Sequence, residues 1–90
     1  MMQMSAELSL YPLNAEVEST VLAFIEELIE GNDVSAVTNS MSTQLSGPSD
    51  AVFTAVQRAL ESSYQRFGRQ VLVAKFIPEH RLEVGPAGSA

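Results

Sequence analysis

The residues that could do chemistry in this 90-residue chain begin with an alternation near its start. In "SAELSLYPL", residues 5–13, Ser5, Glu7, Ser9 and Tyr11 take every second position, with Ala6, Leu8 and Leu10 between them. A second polar group follows about thirty residues later, where Ser42, Thr43 and Gln44 stand together. Lys75 is the one charged residue in "QVLVAKFIP", 70–78. Hydroxyls donate and accept, a carboxylate accepts, and a phenol adds a flat apolar ring with a polar tip. Such a set can fix a small planar ligand through a few directed hydrogen bonds. It offers little for covalent chemistry, because no histidine lies near Ser42-Thr43 to act as base.

The other candidates are weaker. His80 is the one histidine, and it stands at the start of a Gly/Pro/Ser/Ala-rich end. Glu26, Glu27 and Glu30 form an acidic run on the outward side of a helix, which reads as a solvated face and not as the converging oxygens a hard cation needs. There is no cysteine, hence no disulfide, thiolate metal site or iron–sulfur cluster. No Walker, dinucleotide-binding or zinc spacing is present, so no cofactor is expected.

Composition narrows the partners. Eleven acidic residues against five basic ones give a formal net charge of −6. That disfavours nucleic acid and anionic membrane and suits a neutral or cationic ligand. An RNA-binding sheet would also want a row of stacking aromatics, which is missing. No run approaches the ~18 apolar residues of a membrane span. "MMQMSAEL" lacks the basic start and apolar core of a secretory signal, so a cytoplasmic setting is expected. Hydrophobic residues make up 46% and charged residues 18%, which is apolar for so small a chain and predicts an additional buried face, most simply a subunit interface.

The elements that must position these residues follow from periodicity. Residues 3–11 alternate as a strand that Pro12 ends. Asn14 is placed as an N-cap, and Val17, Val21, Phe24, Ile25, Leu28 and Ile29 predict a helix over 14–30, with Gly31 at its left-handed cap. Residues 34–39 predict a strand, Asn39-Ser40 a tight turn, and 41–46 the returning strand, with Met41, Thr43 and Leu45 towards the helices. "GPSDAVFTAVQRALESSYQRFG", 47–68, predicts a helix with Pro48 in its first turn and an inward stripe of Val52, Val56, Ala59, Leu60 and Phe67. Residues 70–78 form the last strand, with Leu72, Ala74 and Phe76 towards the helices. The remainder, 79–90, reads as a flexible tail after a domain over 1–78.

The order β-α-β-β-α-β predicts an α+β, ferredoxin-like fold. Its four-stranded antiparallel sheet, in the order 4-1-3-2, carries both helices on one face. The uncovered face then bears Glu7, Ser9 and Tyr11 beside Ser42 and Gln44, with Val71, Val73 and Lys75 along one side. A plain solvated or dimer-packing face is the default for such a pattern. Against it stand two valines ill-suited to water and a central carboxylate that is costly without a partner or hydration.

"AELSLYPL", then "TNSMSTQLSG", then a helix beginning "DAVF" together resemble the YkoF-like thiamine/hydroxymethylpyrimidine-binding proteins of the broader thiamine-binding-protein group. The resemblance spans roughly residues 4–78. It implies a ferredoxin-like fold whose copies pair through their sheets, here as a homodimer or dimer of dimers. It also implies a binding role for thiamine or its pyrimidine precursor rather than a reaction. Ser9, Tyr11, Ser42 and Thr43 fall in the matching motifs; Glu7, Gln44 and Lys75 join them from placement on the face. Glu7 would accept from the exocyclic amine, Ser9, Ser42, Thr43 or Gln44 would meet the ring nitrogens, and Tyr11 would pack on the ring. Thr43 falls on the helix side by alternation, so it needs a bulge or a pocket near the strand's edge. Two other functions remain open: an oligomeric interaction or regulatory module without a ligand, and a small cofactor-free dimeric enzyme built on Glu7, Tyr11 and Lys75.

Overall fold

A computed structural model describes residues 2–39 and 42–79. The elements run β1 (Gln3–Pro12), α1 (Val17–Ile29), β2 (Ser35–Thr38), β3 (Thr43–Pro48), α2 (Ser49–Phe67) and β4 (Gln70–Pro78). The four strands form one antiparallel sheet in the order β2-β3-β1-β4. This is the α+β, ferredoxin-like arrangement expected from the element order, with β1 and β3 in the middle. The predicted tail, with His80, lies outside the described residues apart from Glu79, as do Ser40 and Met41.

Alternation decides which side of the sheet is dry. Met4, Ala6 and Leu8 of β1 and Leu45 of β3 are buried with Phe24 and Leu28 of α1 and Val52, Ala55, Val56 and Ala59 of α2. Leu72, Ala74 and Phe76 of β4 pack against that core from the sheet edge. Phe76 also stacks on Phe53, ring centres 4.6 Å apart. Both helices therefore cover one face, and the odd-numbered residues of β1 and β4 lie on the other.

Two helix starts differ from the sequence expectation. α1 begins at Val17, because the Asn14 side chain is used elsewhere. Its Oδ1 accepts from the Glu16 N–H at 2.7 Å, and its Nδ2 donates to the Phe67 carbonyl at 3.2 Å. Asn14 thus makes an Asx turn that ties the start of α1 to the end of α2. Thr20, not Val17, completes the buried stripe with Phe24 and Leu28, its hydroxyl donating to the Glu16 carbonyl at 2.7 Å. Val17 and Ile29 are exposed. Pro48 ends β3 opposite Gln3 instead of opening α2. Ring-fixed φ suits both positions, but extended ψ, here 143°, keeps it in the strand. Its missing N–H costs nothing there, and the Ser49 N–H donates to the Met2 carbonyl at 2.9 Å.

The helix ends follow expectation. Gly31 and Gly68 take positive φ, 71° and 88°, which a side chain disfavours. Asn32 adds a cap that propensity did not predict: its Nδ2 donates to the Leu28 carbonyl at 3.0 Å, satisfying an end-of-helix acceptor.

Candidate functional site

The site is made where two strands stop together unevenly. Among the described residues β3 pairs with β1 from Gln3 to Leu8, the last pair being Leu8↔Thr43. β4 pairs with β1 as far as Pro12. Among the described residues, none pairs with 9–12 of β1 on the β3 side. Beneath α1 this leaves a cleft of about 260 Å³. Its apolar floor is Leu8, Leu10, Val21, Phe24 and Ile25; its polar wall is Ser9, Tyr11, Thr38, Asn39, Ser42 and Thr43.

Four of the seven residues expected at a site, Ser9, Tyr11, Ser42 and Thr43, line this one cleft. Thr43 faces the helix side, as alternation requires, and is 6% exposed. The gap at the strand's edge is what lets it share a cavity with Ser9. Its hydroxyl lies 3.2 Å from that of Thr38, and either can donate. Ser42 is held by its backbone, whose N–H donates to Asn39 Oδ1 at 3.0 Å, while the Asn39 N–H donates to the Ser42 carbonyl at 3.0 Å. The hairpin end is thus fixed by an asparagine side chain, as its turn chemistry predicts.

Glu7, Gln44 and Lys75 do not line the cleft. They form one cross-strand row on the uncovered face, with Glu7 opposite both Gln44 and Lys75, and Val37 beyond Gln44. Lys75 Nζ is 3.6 Å from Glu7 Oε1, with side chains 74% and 42% exposed. The Ser42 hydroxyl donates to Glu7 Oε2 at 3.3 Å. The central carboxylate is therefore both partnered and hydrated, which removes the penalty that would otherwise attach to it. Ser42 touches this row and the cleft at once, so it links the two surfaces.

The sequence reading missed Thr38 and Asn39 as wall residues, and Val21, Phe24 and Ile25 as floor. The three apolar side chains were legible as a helix stripe. What alternation cannot reveal is that, among the described residues, β1–β3 pairing stops at Leu8↔Thr43, beside these side chains.

The uncovered face also carries Tyr11, Val71, Val73 and Ile77, each between 47% and 55% exposed, with Val37 at the far edge. A wider, more open groove of about 420 Å³ lies between α2 and the start of β4, lined by Leu60, Glu61, Tyr64, Gln65 and Gln70. It draws on two elements only and lacks the converging hydroxyls of the first cleft. Among the described residues no helix is long and apolar enough to cross a membrane.

Residues 6–77 match the family described as thiamine-binding protein. The chain belongs to that family. Family membership spans both motifs, both helices and nearly all of the sheet. Among solved structures, the chain is similar to a hypothetical protein of Methanocaldococcus jannascii, with 28% identity, a TM-score of 0.71 and coverage of 94% of this chain and 87% of that one. A Thermotoga maritima protein provisionally assigned to thiamine biosynthesis/salvage shares the fold at 13% identity and TM-score 0.73, over 82% of this chain and 81% of that one. A Bacillus cereus domain of unknown function shares it at 23% identity and TM-score 0.71, over 94% and 82%. No curated protein matches the chain in sequence.

Proposed function

We propose that this protein binds thiamine, or its hydroxymethylpyrimidine part, without transforming it. The pyrimidine ring occupies the cleft between β1, α1 and the β2–β3 hairpin. The observation that carries the reading is the convergence of Ser9, Tyr11, Ser42 and Thr43 on one cavity with an apolar floor. These are the residues of the two sequence motifs. Size supports a single ring: about 260 Å³ is slightly below the range of ~300–1,000 Å³ that encloses drug-sized ligands. A two-ring molecule would leave its second ring at the mouth. There the cationic thiazolium of thiamine meets an acidic protein, which favours it. The family description, thiamine-binding protein, and the fold shared with a salvage-type protein support the same ligand class.

Calorimetric titration with thiamine, hydroxymethylpyrimidine and a thiazole alone tests this. The first two should bind and the third should not. At ligand 100-fold above Kd, linkage adds about 2.7 kcal/mol of stability, visible as a raised melting temperature. No heat and no thermal shift with saturating pyrimidine would remove the reading.

The exposed apolar residues of the uncovered face favour a second property alongside binding. We propose that two copies pair through these faces, alone or as a dimer of dimers. Gln44 and Lys75 belong to that surface in this reading, and the mouth of the cleft, at Tyr11, adjoins it.

A further inference from the structure

We propose that Glu7 acts through Ser42 to fix the hydrogen-bonding polarity of the cleft, so that it selects an aminopyrimidine over its oxo counterpart. This rests on the reading of the cleft as a pyrimidine site and names the chemistry that site discriminates. An ionised carboxylate can only accept hydrogen bonds. The Ser42 hydroxyl, 3.3 Å from Glu7 Oε2, therefore commits its single hydrogen to Glu7. Lys75, 3.6 Å from Oε1, takes the other carboxylate oxygen. What Ser42 offers to the cleft it lines is an oxygen lone pair. A ligand group facing it must be a donor.

The threonines behave differently. Thr38 and Thr43 share one hydrogen bond in which either donates, so one hydroxyl hydrogen stays free to turn. That pair adapts to donor or acceptor alike and does not discriminate. Ser42 is the wall hydroxyl whose polarity an outside charge sets, and its backbone is pinned by Asn39. The exocyclic amine of an aminopyrimidine is a donor and suits it. An oxo group at that position is an acceptor, and two acceptors facing each other repel. Glu7 is in this sense a positioning residue: it touches Ser42, not the ligand.

The test is titration of the full chain with thiamine and with its 4-oxo analogue, in wild type, Glu7→Gln and Ser42→Ala. Wild type should favour the amino form roughly tenfold, the worth of one hydrogen bond made against one refused. In Glu7→Gln, donor-only Lys75 holds the amide carbonyl, so the amide N–H faces Ser42 and frees the serine hydrogen for the cleft. The preference should fall to about twofold or less, or invert, because the wall can then donate. Ser42→Ala should lose the preference by weakening thiamine itself. A merely structural role for Glu7 would weaken both ligands together and leave the ratio intact, as would the lost negative charge. Equal binding of both ligands by wild type, or an unchanged ratio in Glu7→Gln, overturns the proposal while leaving the pyrimidine site standing. Binding of neither ligand by wild type overturns both.

Discussion

Tyr11 shows how a single residue separates binding from stability. It is 55% exposed, so the fold gains little from its ring, yet it lines the cleft. Tyr11→Ala should therefore weaken thiamine binding about tenfold, the scale of one aromatic contact, with the melting temperature of the unliganded, dissociated chain within a degree or two of wild type. Titration and thermal melting on one preparation check it. A large fall in melting temperature with unchanged affinity would assign the ring to the fold instead. At this scale the sequence is informative about residue type and less so about surroundings. Ser9, Tyr11, Ser42 and Thr43 were legible as one set, because their chemistry and their motifs agree. Glu7, Gln44 and Lys75 were placed correctly on the uncovered face by alternation, but not next to a cavity. Whether a side chain lines a cleft depends on how far a neighbouring strand pairs, and that the described β1–β3 pairing stops at Thr43 is not written in that residue's own type.

The elements themselves were written in period and punctuation. Four strands and two helices followed from alternation, helical stripes and the glycines at 31 and 68. The residues that misled were those with a long-range use. Asn14 looks like a cap from its neighbours, but its amide reaches Phe67, 53 residues away in sequence. Pro48 suits a first helical turn equally well, and its extended ψ and pairing with Gln3 decide for the strand. Gly47 carries a similar hidden constraint. A Cβ there would stand 2.7 Å from the Asp33 carbonyl oxygen and 3.2 Å from Val34. The obstacle is backbone, leading into β2, and cannot rotate away. Gly47→Ala should cost about 1–3 kcal/mol, the usual penalty for overpacking a close approach. Because the strain would displace β2 from β3, and with it the Thr38 wall, ligand affinity should fall as well. Chemical denaturation with and without thiamine measures both. An alanine variant as stable as wild type would mean that the β2–β3 connection yields freely.

For the whole molecule, the ten apolar side chains buried among the described residues make a modest core, and domains this small are stable by narrow margins. The uncovered face is where more burial is available. Val71, Val73 and Ile77 project from β4 in a line, Tyr11 and Ser9 lie beside them in register, and the Glu7–Lys75 pair separates Val73 from Ile77. A two-fold pairing of such faces would set valine against valine and could offset each charged pair with its mate's. Val73 is the sensitive position, because it lies opposite Ser9 and so joins the apolar line to the rim of the cleft. Val73→Asp would place a carboxylate in that contact and add to a net charge already at −6, so the variant should sediment as a monomer where wild type sediments as a dimer or tetramer. Its melting temperature should fall, and should lose the protein-concentration dependence that assembly imposes. Because Val73 is already about half exposed in the isolated chain, the substitution disturbs the core little, and a lone wild-type subunit should melt where the variant does. If wild type and Val73→Asp have the same mass in solution and the same concentration-independent melting temperature, this face packs against no second copy, and the cleft must work within one chain.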